Sequence, residues 1–204
     1  MEKVISCFQK RPDAVSRLIC FPWAGGGSIH YARWGNILSS STEGYRPHLS
    51  YSMFMSSSEY FICFTFLFVT AVESETRITA PKRSEMSDED FLSWLTSVGG
   101  TPAELLRNPD VLKLFLPSLR ADLHVVENFR SDRPGAPFLS CPVTCFDGKQ
   151  DVPHDLQAWK DVTSGDFTVK MLDGSHFYLK EPQNEKIILD YITKQLETTG
   201  MDYL

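Results

Sequence analysis

The sequence predicts an α/β fold with a mostly parallel sheet and a helical insertion. Three observations predict it. A short apolar run, residues 16–21 (SRLICF), meets a glycine loop and then a helical stretch. The last third alternates strand-like and helix-like segments. Between them lie three successive segments with helix-start signals. Strand, loop and helix in repeated succession is the pattern of a sheet covered by helices.

The apolar residues 16–21 read as a buried strand, broken by residues 22–27 (PWAGGG), and residues 28–38 read as helix. Consecutive glycines let a backbone approach a ligand closely and aim N–H groups at one point. The pattern has neither the P-loop nor the dinucleotide-binding spacing, so it gives nucleotide binding no support. Residues 39–59 are Ser-rich and show neither helical nor strand periodicity. Residues 60–72 (YFICFTFLFVTAV) carry no charge. They are too short for a spanning helix, which needs roughly 18 or more apolar residues, and their Phe, Val, Ile and Thr content favours a buried strand.

Ser87 precedes Asp88, Glu89 and Asp90, an N-cap followed by an acidic first turn. Phe91, Leu92, Leu95 and Val98 form the apolar stripe that follows, closed by Gly99 and Gly100. Thr101-Pro102-Ala103-Glu104 and Asn108-Pro109 are two further helix starts, and Pro117 is expected to kink or split the third helix. These helices form a compact unit over residues 87–129, which reads either as core packing or as a lid over an apolar pocket. Residues 142–146 and 167–172 are strands, with a helix near 155–160 between them. A last helix starts after Pro182 and carries Ile187, Ile188, Tyr191, Ile192 and Leu196 on one side.

Composition narrows the function class. The chain has 204 residues, 42% hydrophobic and 23% charged, which fits one globular domain, residues 1–204. The net charge of −6 lacks the basic footprint of a nucleic-acid binder. Five cysteines at 7, 20, 63, 141 and 145 have no repeated spacing, so a metal site is not expected and reduced cytosolic thiols are. Residues 1–10 carry charges and no long apolar core, unlike a secretory signal.

The chemistry-bearing residues sit in loops past strand ends. Asp151 follows the strand 142–146 and His176 follows the strand 167–172. In a parallel sheet such ends point the same way. A buried carboxylate accepting from one imidazole nitrogen leaves the other free to act as a general base. Spacing alone also allows two unconnected surface residues.

Four motifs occur in order: residues 21–28 (FPWAGGGS), residues 119–122 (LRAD), residues 148–151 (GKQD) and residues 174–179 (GSHFYL), with residues 158–165 (AWKDVTSG) beside the third. They resemble the type II thioesterases, an α/β-hydrolase family, over roughly residues 4–43 and 76–198. The resemblance implies hydrolysis of the thioester between a fatty acyl chain and an acyl carrier protein, the carrier domain of fatty acid synthase, in the cytosol. It implies no metal, no diffusible cofactor and no membrane span. By position, Asp151 would be the triad acid, His176 the general base, and the backbone at Ala24 and Gly25 the oxyanion loop. Asp147 is a weaker rival acid, since it precedes Gly148.

The chain departs from the family at the nucleophile. No serine here stands in G-x-S-x-G, the strand-to-helix elbow of such enzymes. Ser28, on the oxyanion loop, is the weak candidate left. The missing length falls between Glu43 and about residue 75, and residues 44–59 read as an irregular segment replacing the nucleophile region. The expected architecture is therefore an α/β-hydrolase-like sheet truncated in its centre, and marginally stable. Three readings stay open: an acyl-thioester hydrolase, an inactive variant, and a module that binds acyl chains or carrier protein.

Overall fold

A computed structural model describes residues 5–20, 29–47, 82–99, 101, 103–128, 136–137 and 139–201. Strands β1 (Ile5–Cys7), β2 (Ser16–Ile19) and β3 (Thr42–Pro47) form one sheet in the order β1-β3-β2. The central β3 runs parallel to β2 and antiparallel to β1. Helices α1 (Ile29–Ala32) and α2 (Trp34–Ile37) lie between β2 and β3 in the chain.

The Ser-rich reading of residues 39–59 is corrected at its start. Residues 44–47, assigned to the irregular segment 44–59, belong to β3. The strand has no alternating pattern because its polar groups are satisfied by tertiary contacts. Glu43 accepts from the Arg11 backbone N–H at 3.0 Å and from the Tyr45 hydroxyl. Arg11 in turn donates to the carbonyls of Leu38 and Thr42, at 3.2 and 2.8 Å. Gly44 is needed where it stands, since a Cβ there would sit 2.9 Å from the Phe8 ring. Residues 48–59 and the apolar run 60–72 lie outside the described residues.

The helical unit follows its sequence signals. A 3₁₀ turn (Arg83–Glu85) leads into α3 (Asp88–Val98), where the Ser87 hydroxyl accepts from the Asp90 N–H at 3.1 Å. Gly99 ends α3 at φ +76°, a conformation open to glycine. After α4 (Ala103–Leu106), the Asn108 side chain caps α5 (Pro109–Asn128). Of the expected kink or split at Pro117, the split does not occur: helix α5 continues through it. Phe91 and Leu95 of α3 pack against Leu116 and Leu119 of α5 as a separate small core. Arg120 fastens the pair. It bonds Asp88 at 2.8 Å, and its guanidinium lies 4.2 Å from the Phe91 ring centroid.

Strands β4 (Val143–Gly148) and β5 (Phe167–Leu172) pair in parallel, from Val143 opposite Phe167 to Gly148 opposite Leu172. The connection carries the helix expected near 155–160, as a 3₁₀ helix (Leu156–Val162) capped by the Asp155 side chain. A further 3₁₀ turn (Tyr178–Lys180) precedes α6 (Pro182–Met201), which begins with proline as expected. Ile188, Ile192 and Leu196 of α6 are buried, whereas Ile187 is 42% exposed and leaves the predicted apolar side. Among the described residues, the main core joins both ends of the chain: Leu18, Tyr31, Trp34 and Leu38 pack with Leu172, Tyr178, Ile188 and Ile192. Glu185 of α6 ties them further, accepting from the Trp34 indole at 2.7 Å and from Arg33 at 2.6 Å.

Two expected outcomes follow from this packing. A Cβ at Gly148 would meet the carbonyl oxygens of Gly174 and Ser175 at 2.6 Å, both backbone atoms. Gly148→Ala is therefore expected to cost about 1–3 kcal/mol by overpacking, read as a lowered Tm. His30 supplies a pH term. Burial, and then Arg33, push its pKa below 6.5, opposed by Glu185. The unfolded chain thus binds a proton that the folded chain resists, so this contribution is intact above pH 6.5 and is lost as pH falls below it. Chemical denaturation across that range should show stability falling less steeply in His30→Gln than in wild type.

Candidate active site

The register of β4 and β5 fixes the site. Their C-terminal ends are level, so the loops that leave them start side by side. Backbone bonds then lace the two loops together. The Lys149 N–H donates to the Leu172 carbonyl at 2.8 Å and the Gln150 N–H to the Gly174 carbonyl at 3.0 Å. The Gln150 side chain returns a bond by accepting from the Gly174 N–H. Gly174 holds φ +123°, which a side chain would strain. Asn184 of α6, itself buried, donates to the carbonyls of Asp173 at 2.6 Å and Tyr178 at 2.9 Å. The Tyr178 hydroxyl donates to the Phe146 carbonyl at 2.8 Å, and burial raises its pKa well above the usual value, so it stays a donor.

This scaffold brings Asp151 and His176 together. His176 Nδ1 lies 2.9 Å from Asp151 Oδ2. The Asp151 side chain is 7% exposed and that of His176 28%. Asp151 Oδ1 accepts from the Val152 N–H at 2.8 Å, and the Asp151 N–H donates to the Gly148 carbonyl at 3.1 Å, so both carboxylate oxygens have partners. The ring of Phe177 meets the imidazole edge to face at 5.2 Å. With Nδ1 on Asp151, Nε2 is the nitrogen through which this imidazole would transfer a proton.

Asp147, the rival acid, has a different partner. Its Oδ2 lies 2.8 Å from His154 Nδ1, and its Oδ1 accepts from the Gly148 N–H at 2.9 Å. The sequence reading missed His154. The available signal was modest: it stands three residues past Asp151, in the same loop. Ala24, Gly25 and Ser28 lie outside the described residues. Cys20 and Cys145 are thiols whose pKa burial raises, to about 12 and about 11, so neither is an activated nucleophile. Among the described residues, no helix is long and apolar enough to cross a membrane.

Comparison with known proteins agrees with this layout. The thioesterase domain model matches residues 63–196. The chain is 35% identical to the medium-chain S-acyl fatty acid synthase thioesterase of Rattus norvegicus over 250 aligned positions, covering 98% of this chain and 95% of that protein. The corresponding protein of Homo sapiens is 33% identical, with 98% and 94% covered. An alignment of 250 positions is 46 longer than the 204-residue chain, so the rat protein carries internal segments that this chain lacks. Among solved structures, the RedJ thioesterase of the prodiginine pathway in Streptomyces coelicolor superposes with a TM-score of 0.68 at 19% identity, covering 91% of this chain and 92% of that one. The type II thioesterase BorB of the borrelidin cluster gives 0.67 at 19% identity, covering 94% and 97%. These two likenesses give the fold, an α/β-hydrolase-type arrangement. With the domain match and the two near-full-length relatives, the chain belongs to the type II thioesterase family.

Proposed function

We propose that this chain hydrolyses acyl thioesters carried on an acyl carrier protein, with His176 as general base and Asp151 as the carboxylate that orients it. One observation carries the reading: the 2.9 Å contact between His176 Nδ1 and Asp151 Oδ2 at the level ends of two parallel strands. Likeness to the mammalian medium-chain S-acyl fatty acid synthase thioesterases supports a medium-chain fatty acyl group released from fatty acid synthase, and hence a cytosolic partner. No metal or diffusible cofactor enters the reaction.

The absent serine elbow shapes the mechanism. With no G-x-S-x-G in the chain, water takes the place of the serine. His176 Nε2 accepts a proton from that water as its oxygen attacks the thioester carbonyl carbon. The charge on the imidazolium is stabilised by Asp151 across Nδ1. The tetrahedral intermediate collapses, the C–S bond breaks, and the imidazolium returns the proton to sulfur, releasing a carboxylic acid and a thiol. A thiolate leaves readily, since a thiol has a pKa of about 8.5. The burden therefore falls on activating the attacking oxygen, which a base held by a carboxylate can do. In serine hydrolases, loss of the nucleophile costs on the order of 10⁶ in kcat and leaves about 10³–10⁴ over water. Turnover here belongs in that slow range. The residues at Ala24 and Gly25 are the proposed oxyanion loop, and the sheet is proposed to lack the elbow strand at its centre. Residues 87–129 are proposed as the lid over the acyl chain, supported by their separate small core and by the exposed Leu114.

Single-turnover hydrolysis of a medium-chain acyl-carrier-protein thioester tests this. Wild type is expected to exceed the buffer rate, and His176→Ala to fall to it. Asp151→Asn should fall to the same low rate as His176→Ala, because the orientation of the base and the charge that stabilises it are lost with the carboxylate. Equal rates in wild type and His176→Ala would overturn the reading, whether or not the thioester binds. A fluorophosphonate serine probe should leave the protein unlabelled. Labelling at Ser28 would replace water with that hydroxyl as nucleophile.

A further inference from the structure

Asp147, Asp151 and His154 each offer one atom able to ligate a metal, and these atoms lie within 4.8 Å of one another. Their side chains are 9%, 7% and 21% exposed. Two carboxylates this close, both shielded from water, repel each other unless positive charge lies between them. His154 answers one of them through Nδ1 and His176 the other through its own Nδ1. We propose that this cluster is an inhibitory site for a divalent transition-metal ion of the zinc class, bound by Asp147, Asp151 and His154.

The donor set selects the ion. One imidazole nitrogen and two carboxylate oxygens suit zinc or cobalt, whereas magnesium and calcium take all-oxygen shells. Tetrahedral zinc, with bonds of about 2.0–2.2 Å, sets its donors about 3.3 Å apart. Donor atoms up to 4.8 Å apart therefore close by up to about 1.5 Å on loading, through rotation of the ligand side chains, including the partly exposed His154. The same exposure gives the ion its way in. Water fills the fourth position.

The site's placement makes it inhibitory. Asp151 meets His176 at Nδ1, so an ion behind Asp151 lies on the opposite side of the imidazole from Nε2. Water on that ion does not reach a thioester carbonyl placed at Nε2. The ion does neutralise the carboxylate whose charge stabilises the imidazolium. Loading thus disables the base without occupying the substrate's place.

The inhibitory effect rests on the proposed hydrolysis, and the binding does not, so the test reads both. Titration calorimetry of the full-length chain at neutral pH with zinc chloride should show one equivalent bound. Cobalt substituted for zinc should give visible bands without the near-ultraviolet absorption of a cobalt–thiolate bond. His154→Ala should lose the binding and keep the basal hydrolysis rate, its fold checked by circular dichroism. His154→Gln, which retains a hydrogen-bonding group but is a poor zinc ligand, should behave alike. Zinc should suppress hydrolysis at least tenfold in wild type, reversibly with a chelator, and leave His154→Ala unaffected. Absence of zinc binding in wild type, binding unchanged in both variants, or a cobalt–thiolate band would overturn the site. Binding that leaves hydrolysis unchanged would overturn its inhibitory role. Zinc binding by chelator-stripped protein that shows no hydrolysis at all would refute the hydrolytic reading and the inhibitory role with it, and leave the ion site standing.

Discussion

The close approach of two loop backbones at Gly148 is the constraint on which the site rests. The last residue of β4 lies so near Gly174 and Ser175 that only a hydrogen fits at its α-carbon. That contact brings the loop bearing Asp151 against the loop bearing His176. The bonds from Lys149 to Leu172 and from Gln150 to Gly174 then fix their relative height. A carboxylate–imidazole bond forms only within a few tenths of an ångström of its ideal length. Side-chain packing alone would not hold two loops to that tolerance; backbone against backbone does.

The same corner holds a second carboxylate–imidazole pair, Asp147 with His154, built on the last turn of β4. Two acids separated by four residues thus serve two histidines separated by twenty-two, without exchanging partners. The division follows from chain direction. Asp147 is still within the strand, where its Oδ1 takes the N–H of the next residue. Asp151 has already turned the corner and faces the loop that follows β5.

Much of this was legible in the sequence, for stated reasons. Strand β5 and the final helix were readable because strand-forming residues and a proline start mark them without ambiguity. Ser87 and Asn108 announced their helices through side chains whose hydrogen bonds are local. What was not legible depends on distant partners. Strand β3 lacks an apolar pattern because Glu43 and Tyr45 satisfy each other and Arg11 reaches across from an earlier loop. Pro117 passes inside a continuous helix although its local preference is to break one. The pairing of His154 depends on a turn geometry that no periodicity encodes.

The tie between Trp34, Arg33 and Glu185 spans about 150 positions of chain. Ile188 and Ile192, from the same helix, complete the core around Tyr31 and Trp34. On the ribosome, where chains emerge from the amino end at about 5–20 residues per second, β2, α1 and α2 are made well before the helix that covers them. For that interval of several seconds their indole and phenol rings have no lid. The apolar surface of the nascent amino-terminal half thus stays uncovered until the final helix has been made.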